Sequence, residues 1–173
     1  MEKLKLFFKR KDIVISAKRY GIDALGAMAQ GLFCSLLINT VGKQFQISFL
    51  TSTVATIAGV EYTVGSLASA MSGPAMAVAI GYALNTPPLV LFSLITVGFA
   101  SNALGGAGGP LAVLFVAIIA SEVGKMVSKE TKIDILVTPL VTISVGIFLS
   151  AILAPTLGKA AMKLGTVIMW ATS

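Results

Sequence analysis

The sequence predicts an all-α, polytopic transmembrane helix bundle of about five spans, with broken or re-entrant segments and a basic amphipathic interfacial helix at its N-terminus. Three observations carry that prediction. Apolar residues make up 56% of the chain and charged residues 12%, about half the charged share of an ordinary soluble domain. Long windows between the charges hold no ionisable residue and are long enough to cross a bilayer. The 13 Lys and Arg, against 7 Asp and Glu, gather at the N-terminus and in one internal turn. That distribution fits membrane topology and anionic headgroups, and it does not fit nucleic-acid binding.

Residues 1–20 hold Lys3, Lys5, Lys9, Arg10, Lys11, Lys18 and Arg19 against Glu2 and Asp12. Leu4, Leu6, Phe7, Phe8, Ile13, Val14 and Ile15 form an apolar side. The pattern predicts a helix lying on anionic lipid headgroups and a cytoplasmic N-terminus. The remainder, 21–173, reads as a single transmembrane domain whose first span covers 22–41. There Asp23 and Gln30 are seven apart and Cys34 follows four later, so the three share one helix face. With Gly26, Ala27 and Gly31 beside them, they mark a face for helix packing. Asp23 stands where a capping carboxylate would, and Gln30 lies deeper.

Residues 42–62 are ambiguous. Gln44, Gln46 and Ser48 alternate with Phe45, Ile47 and Phe49, which predicts an extended or interfacial segment, and 51–59 suits a short half-helix dipping into the membrane. The stretch 64–84 is rich in Gly and Ala and breaks at Ser72-Gly73-Pro74. Small residues permit close helix contact, so it belongs inside the bundle, and their excess predicts at least a homodimer. Asn85-Thr86-Pro87-Pro88 is a turn, and 87–101 is a third span.

The stretch 102–110 reads Asn-Ala-Leu-Gly-Gly-Ala-Gly-Gly-Pro. Gly105, Gly106, Gly108 and Gly109, closed by Pro110, continue neither flanking helix well. In a bilayer, irregular backbone survives only when buried in protein or lining a wet cavity. This break is therefore either a plain surface turn or one wall of a solute site, as in transporters with broken helices. A fourth span covers 110–127 and a charged turn 125–134, where Thr131 and Asp134 have the spacing of a capping box. Four spans after a cytoplasmic N-terminus put that lysine-bearing turn on the same side. A fifth span covers 133–157, with Pro139 and Pro155, and 159–173 lies on the surface or opens a sixth helix.

Glu122 is the one carboxylate placed in the hydrocarbon, where a charge is costly and marks a functional candidate. Lys125 and Lys129, three and seven residues on, offer it a plain ion-pair partner instead. The candidate solute-binding set is Gln30, Asn85, Asn102, Gly105, Gly106, Gly108, Gly109 and Glu122. The chain has no histidine and one cysteine, hence no imidazole chemistry, no intrachain disulfide and no cysteine metal site. With no nucleophile motif either, it does not read as an enzyme, and neither metal nor cofactor is expected.

Five segments resemble a known family. They are 20–33 (Tyr-Gly-Ile-Asp-Ala-Leu-Gly-Ala-Met-Ala-Gln-Gly-Leu-Phe), 87–93 (Pro-Pro-Leu-Val-Leu-Phe-Ser), 102–110, 122–125 (Glu-Val-Gly-Lys) and 131–140 (Thr-Lys-Ile-Asp-Ile-Leu-Val-Thr-Pro-Leu). Together they look like the membrane subunits of the phosphotransferase-system component IIC-like group, which includes PfoR-type regulators. The resemblance implies a multi-pass protein of the bacterial inner membrane, related by name to sugar permeases. Relatives of this type are usually longer, so the chain has the look of an N-terminal half or of a halved form, and five spans would set two halves in opposite orientations. Two functions follow. One is an oligomeric transporter for a small polar solute. The other is a membrane-embedded sensor or regulator that keeps the fold and moves nothing.

Overall fold

The structure, a computed structural model, describes residues 2–172. Met1 and Ser173, at the ends of the two terminal segments read above, lie outside the described residues. Helix α1, Glu2–Arg10, is followed by a turn at Asp12, whose φ of 52° sends the chain back. A π-helical turn, Lys18–Asp23, then runs into α2, Ala24–Gln44. The helix expected over 1–20 is thus cut in two. Its break is held by Arg19, which donates to the Asp12 carboxylate at 2.5 Å across the turn.

The largest departure lies at 42–62. Helix α2 runs through the start of the expected interfacial segment to Gln44, and α3 is a single turn at Ser48–Thr51. In place of a half-helix at 51–59 the chain forms an antiparallel strand pair, β1 at Thr53–Ile57 and β2 at Val60–Thr63. Thr53, Val54, Thr56, Ile57, Val60 and Thr63 are β-branched and favour strands. Ala58 and Gly59, at φ of 50° and 80°, close the hairpin with the twist that paired strands require. Every other regular element among the described residues is helical.

Helix α4, Val64–Ala70, starts at a capping box. The Thr63 hydroxyl accepts from the Ser66 backbone N–H, and the Ser66 hydroxyl from that of Thr63. It meets α5, Ser72–Ala83, at a bend of 51°. Pro74 falls in the first turn of α5, where its missing N–H costs nothing, so the break sits just before Ser72-Gly73-Pro74.

Three stretches are long and apolar enough to cross a membrane, Lys18–Gln44, Pro88–Val127 and Asp134–Val167, and the bent α4–α5 pair adds a fourth. The second stretch is in fact two helices, α6 at Pro88–Gly105 and α7 at Gly109–Val127, joined by the tight turn Gly106–Gly108. Gly109 lies against Asn102, and Gly124 against Val90, contacts that only an antiparallel hairpin provides. Each helix, of 18 and 19 residues, is roughly 27–28 Å long, close to the ~30 Å of a hydrocarbon core. With α8, Asp134–Thr172, the described residues make five antiparallel passes.

Two further expectations are corrected. The irregular stretch at 102–110 shrinks to Gly106–Gly108, because Asn102 and Gly105 complete α6 and Gly109 opens α7. Residues 159–172 do not lie apart but continue α8, with Pro139 and Pro155 inside it. Pro155 removes one backbone bond, yet α8 continues through it, with Ala154, Leu157 and Gly158 packed on the α6–α7 tip.

The passes meet through glycine. Gly73 of α5 and Gly98 of α6 each sit on the other's backbone, with no room for a Cβ on either. Gly31 of α2 lies likewise on the backbone of Ala75 and Met76, and Gly146 of α8 on Val97. Met76, Ile80, Leu94, Val97, Val113 and Val116 fill the middle of the bundle, fully buried. Phe33, Phe92, Phe99, Phe115 and Phe148 point outward and are exposed, the arrangement of a multi-pass membrane protein. Lipid tails give helices no hydrophobic reason to associate, so close van der Waals contact carries much of the stability. Gly98→Val should therefore cost roughly 1–3 kcal/mol by overpacking. Gly26→Ala, where a Cβ meets nothing within 4 Å, should be neutral or mildly stabilising. Unfolding titrations in mixed micelles compare the two.

Candidate functional site

The structure distributes the eight candidate residues over three places. Gln30 faces a groove between α2 and α5, edged by α6, that encloses about 990 Å³ and is open along one side. Helices α2 and α5 touch at Gly31 and Ala75, and beside that contact Gly26, Ala27, Ala79 and Ala83 leave the space unfilled. Asp23, Gln30, Cys34 and Tyr82 are the polar groups on the apolar walls. The face predicted for helix packing thus lines an opening. Asp23 makes no side-chain cap, so its capping role is not seen. Tyr82 was missed, because one tyrosine in a Gly/Ala-rich helix gives no periodic signal.

Asn102 and the glycines lie at the far end of the α6–α7 hairpin. The Asn102 amide donates to the Ser72 hydroxyl at 3.4 Å. Gly105 faces Ala112 and Ala154, Gly108 the backbone of Leu157 and Gly158, and Gly109 the Asn102 side chain. Close packing accounts for all three. Gly106 differs, since a Cβ there meets open space, but its φ of 49° disfavours any L side chain. A bulky residue at Gly106 would strain the turn rather than fill a pocket.

Asn85 and Glu122 lie at the opposite end, where the basic residues collect, separated from the glycine turn by the length of α6. Lys125 is 1% exposed, and its ammonium donates to the carbonyls of Asp12 at 3.0 Å and Leu84 at 3.1 Å. The Glu122 carboxylate stands 2.9 Å away as its ion-pair partner. This contact lacks hydrogen-bond alignment, and both Glu122 oxygens are buried without a hydrogen bond. Arg19 adds a second cation, donating to Asp12 and to the same Leu84 carbonyl at 2.7 Å. Asn85, at φ 54°, donates to the Asp12 carboxylate at 3.2 Å. Asp134 accepts from the Lys129 N–H and the Thr138 hydroxyl, so it closes the preceding loop instead of pairing with Thr131.

Arg10 and Lys11 both reach Glu130 at 2.5 Å, and Lys11 also donates to the Ser128 carbonyl. These contacts tie α1 to the α7–α8 loop. The hydrogen bond from Arg19 holds the Asp12 carboxyl below its ordinary value of 3.8, with help from Asn85 and nearby cations. The hydrogen bond from Lys11 does the same for Glu130, ordinarily 4.5. Carboxyls lowered in the folded state stabilise it fully above their ordinary values and lose that contribution as pH falls through the lowered ones. The α1 latch should therefore be unchanged between neutral pH and 4.5, and loosen as pH drops below 3.8. Spin-label distances between positions 5 and 131 follow it. Because the Arg10–Glu130 pair is exposed, high salt should weaken that part of the latch at neutral pH as well.

A family model described as Phosphotransferase system, EIIC matches residues 22–173. No curated protein and no solved structure matches the chain. The matched region begins within the π-helical turn and takes in every pass of the bundle, the groove, the glycine turn and the buried Lys125. The chain belongs to the phosphotransferase system EIIC family.

Proposed function

We propose that the chain is a permease-like membrane component that carries a small polar solute along the α2–α5 groove, working as a homo-oligomer. Membership of the EIIC family supports the reading, and one observation carries it to this site. Gln30 stands on the groove wall in mid-helix, its side chain without an intramolecular hydrogen bond among the described residues. A primary amide both donates and accepts, which suits the hydroxyls of a polar solute. Lipid against Gln30 and Asp23 would leave polar groups unsatisfied, so a second copy closes the open side. The basic end faces the cytoplasm of a bacterial inner membrane, with α1 on anionic headgroups. The 173 residues include no histidine, so none of them carries a phosphoryl group on imidazole.

Cys34 is the one cysteine of the chain and lies exposed on the groove, which gives a direct readout. In proteoliposomes, uptake from a panel of sugars, nucleosides and organic acids should identify a solute that also slows alkylation of Cys34. Gln30→Leu should lower that uptake about tenfold, the loss of roughly one hydrogen bond. Solute protection of Cys34 without uptake would favour the regulatory reading, in which the latched α1 carries the signal. Neither uptake nor protection with any member of the panel would remove the groove as a solute site.

A further inference from the structure

We infer that the cleft at the basic end, beside α1, is a binding site for a phosphate group, filled in the membrane by the headgroup of an anionic phospholipid. The cleft encloses about 300 Å³ and is walled by Arg10, Lys11, Lys125 and Lys129, with Asn85 and Ser128 between them. Its two carboxylates, Asp12 and Glu130, leave it two positive charges in excess. Asp12 is moreover already engaged by Arg19 and Asn85. Arg10 has five N–H donors, of which Glu130 takes one, so its planar fork keeps donors for phosphate oxygens.

Ser128 lines the cleft, is 2% exposed, and gives its carbonyl to Lys11. The neighbouring Lys129 sits at φ 63°, with its N–H fixed to Asp134 at 2.7 Å, so the loop is set before any ligand arrives.

A second hollow of about 320 Å³ adjoins the first and shares Arg10 with it, lined further by Lys3, Leu6 and Phe7. Leu4 and Leu6 are 59% and 63% exposed. An apolar surface continuous with a cationic cleft fits a phosphodiester carrying acyl chains better than a free anion. The site uses no groove residue, so it stands or falls apart from the solute path.

The test uses the full chain in nanodiscs of phosphatidylcholine, with or without phosphatidylglycerol, read by native mass spectrometry and thermal unfolding. The wild type should retain phosphatidylglycerol through delipidation and melt higher in its presence. Arg10→Gln and Lys129→Gln should each bind it several-fold more weakly, and the pair about tenfold, the loss of roughly one charge-assisted bond. Lys163→Gln, on the far exposed part of α8, should match the wild type. Inorganic phosphate added to phosphatidylcholine discs separates the sources. A melting shift from phosphate without phosphatidylglycerol retention would overturn the lipid assignment and keep the phosphate chemistry. Equal behaviour of wild type and variants with both would overturn the site.

Discussion

An ammonium as deeply buried as that of Lys125 is costly unless its N–H groups find acceptors and its charge is balanced. Here it donates to two backbone carbonyls, of Asp12 and Leu84, and the Glu122 carboxylate 2.9 Å away balances the charge. The first carbonyl belongs to the segment that precedes α2, the second closes α5, and Lys125 itself lies near the end of α7. Arg19 reaches the same Leu84 carbonyl from the start of the first span. Cations at the carbonyl end of α5 also complement its dipole. One cluster thus fixes the ends of α2, α5 and α7 relative to each other. Removing one partner would leave an uncompensated charge, which is the costly way to break such a site.

What that cluster holds at one end, glycine contacts hold along the length. Gly31 sets the approach of α2 to α5, and Gly73 with Gly98 the approach of α5 to α6. Between the Gly31 contact and the Arg19–Leu84 tie, Gly26 and Ala27 of α2 and Ala79 and Ala83 of α5 present only small side chains to the groove, which opens there. Its shape follows from the two fixed points on either side of it. The polar residues Asp23, Gln30 and Cys34 project into this opening because seven- and four-residue spacings return to one helix face. The groove and the basic cleft therefore lie on either side of one tie and share no lining residue.

Much of this was legible in the sequence. Apolar runs, glycine breaks and proline-marked turns placed the spans, and the Glu122–Lys125 spacing announced the pair that forms. Motif resemblance at five segments gave the family. The strand pair at β1–β2 was not legible, because a short β-branched run at a membrane surface looks the same as a half-helix. Nor was the grouping of the site residues. Asn85 and Asn102 are both asparagines beside a turn, yet they lie at opposite ends of α6, and only the directions of the passes separate them. Lys125 read as a mere partner for Glu122, since its carbonyl acceptors come from residues 41 and 113 positions away, beyond any local pattern.

The central claim is that the Lys125 cluster holds α2 against α5 and so gives the groove its form. Spin labels on Cys34 and on a cysteine replacing Tyr82, across the groove, measure that separation in nanodiscs. With Lys125 intact the account predicts one narrow distance distribution. In Lys125→Met, with the bundle still helical by circular dichroism, it predicts a broad and longer one. The same narrow distribution in both would contradict it.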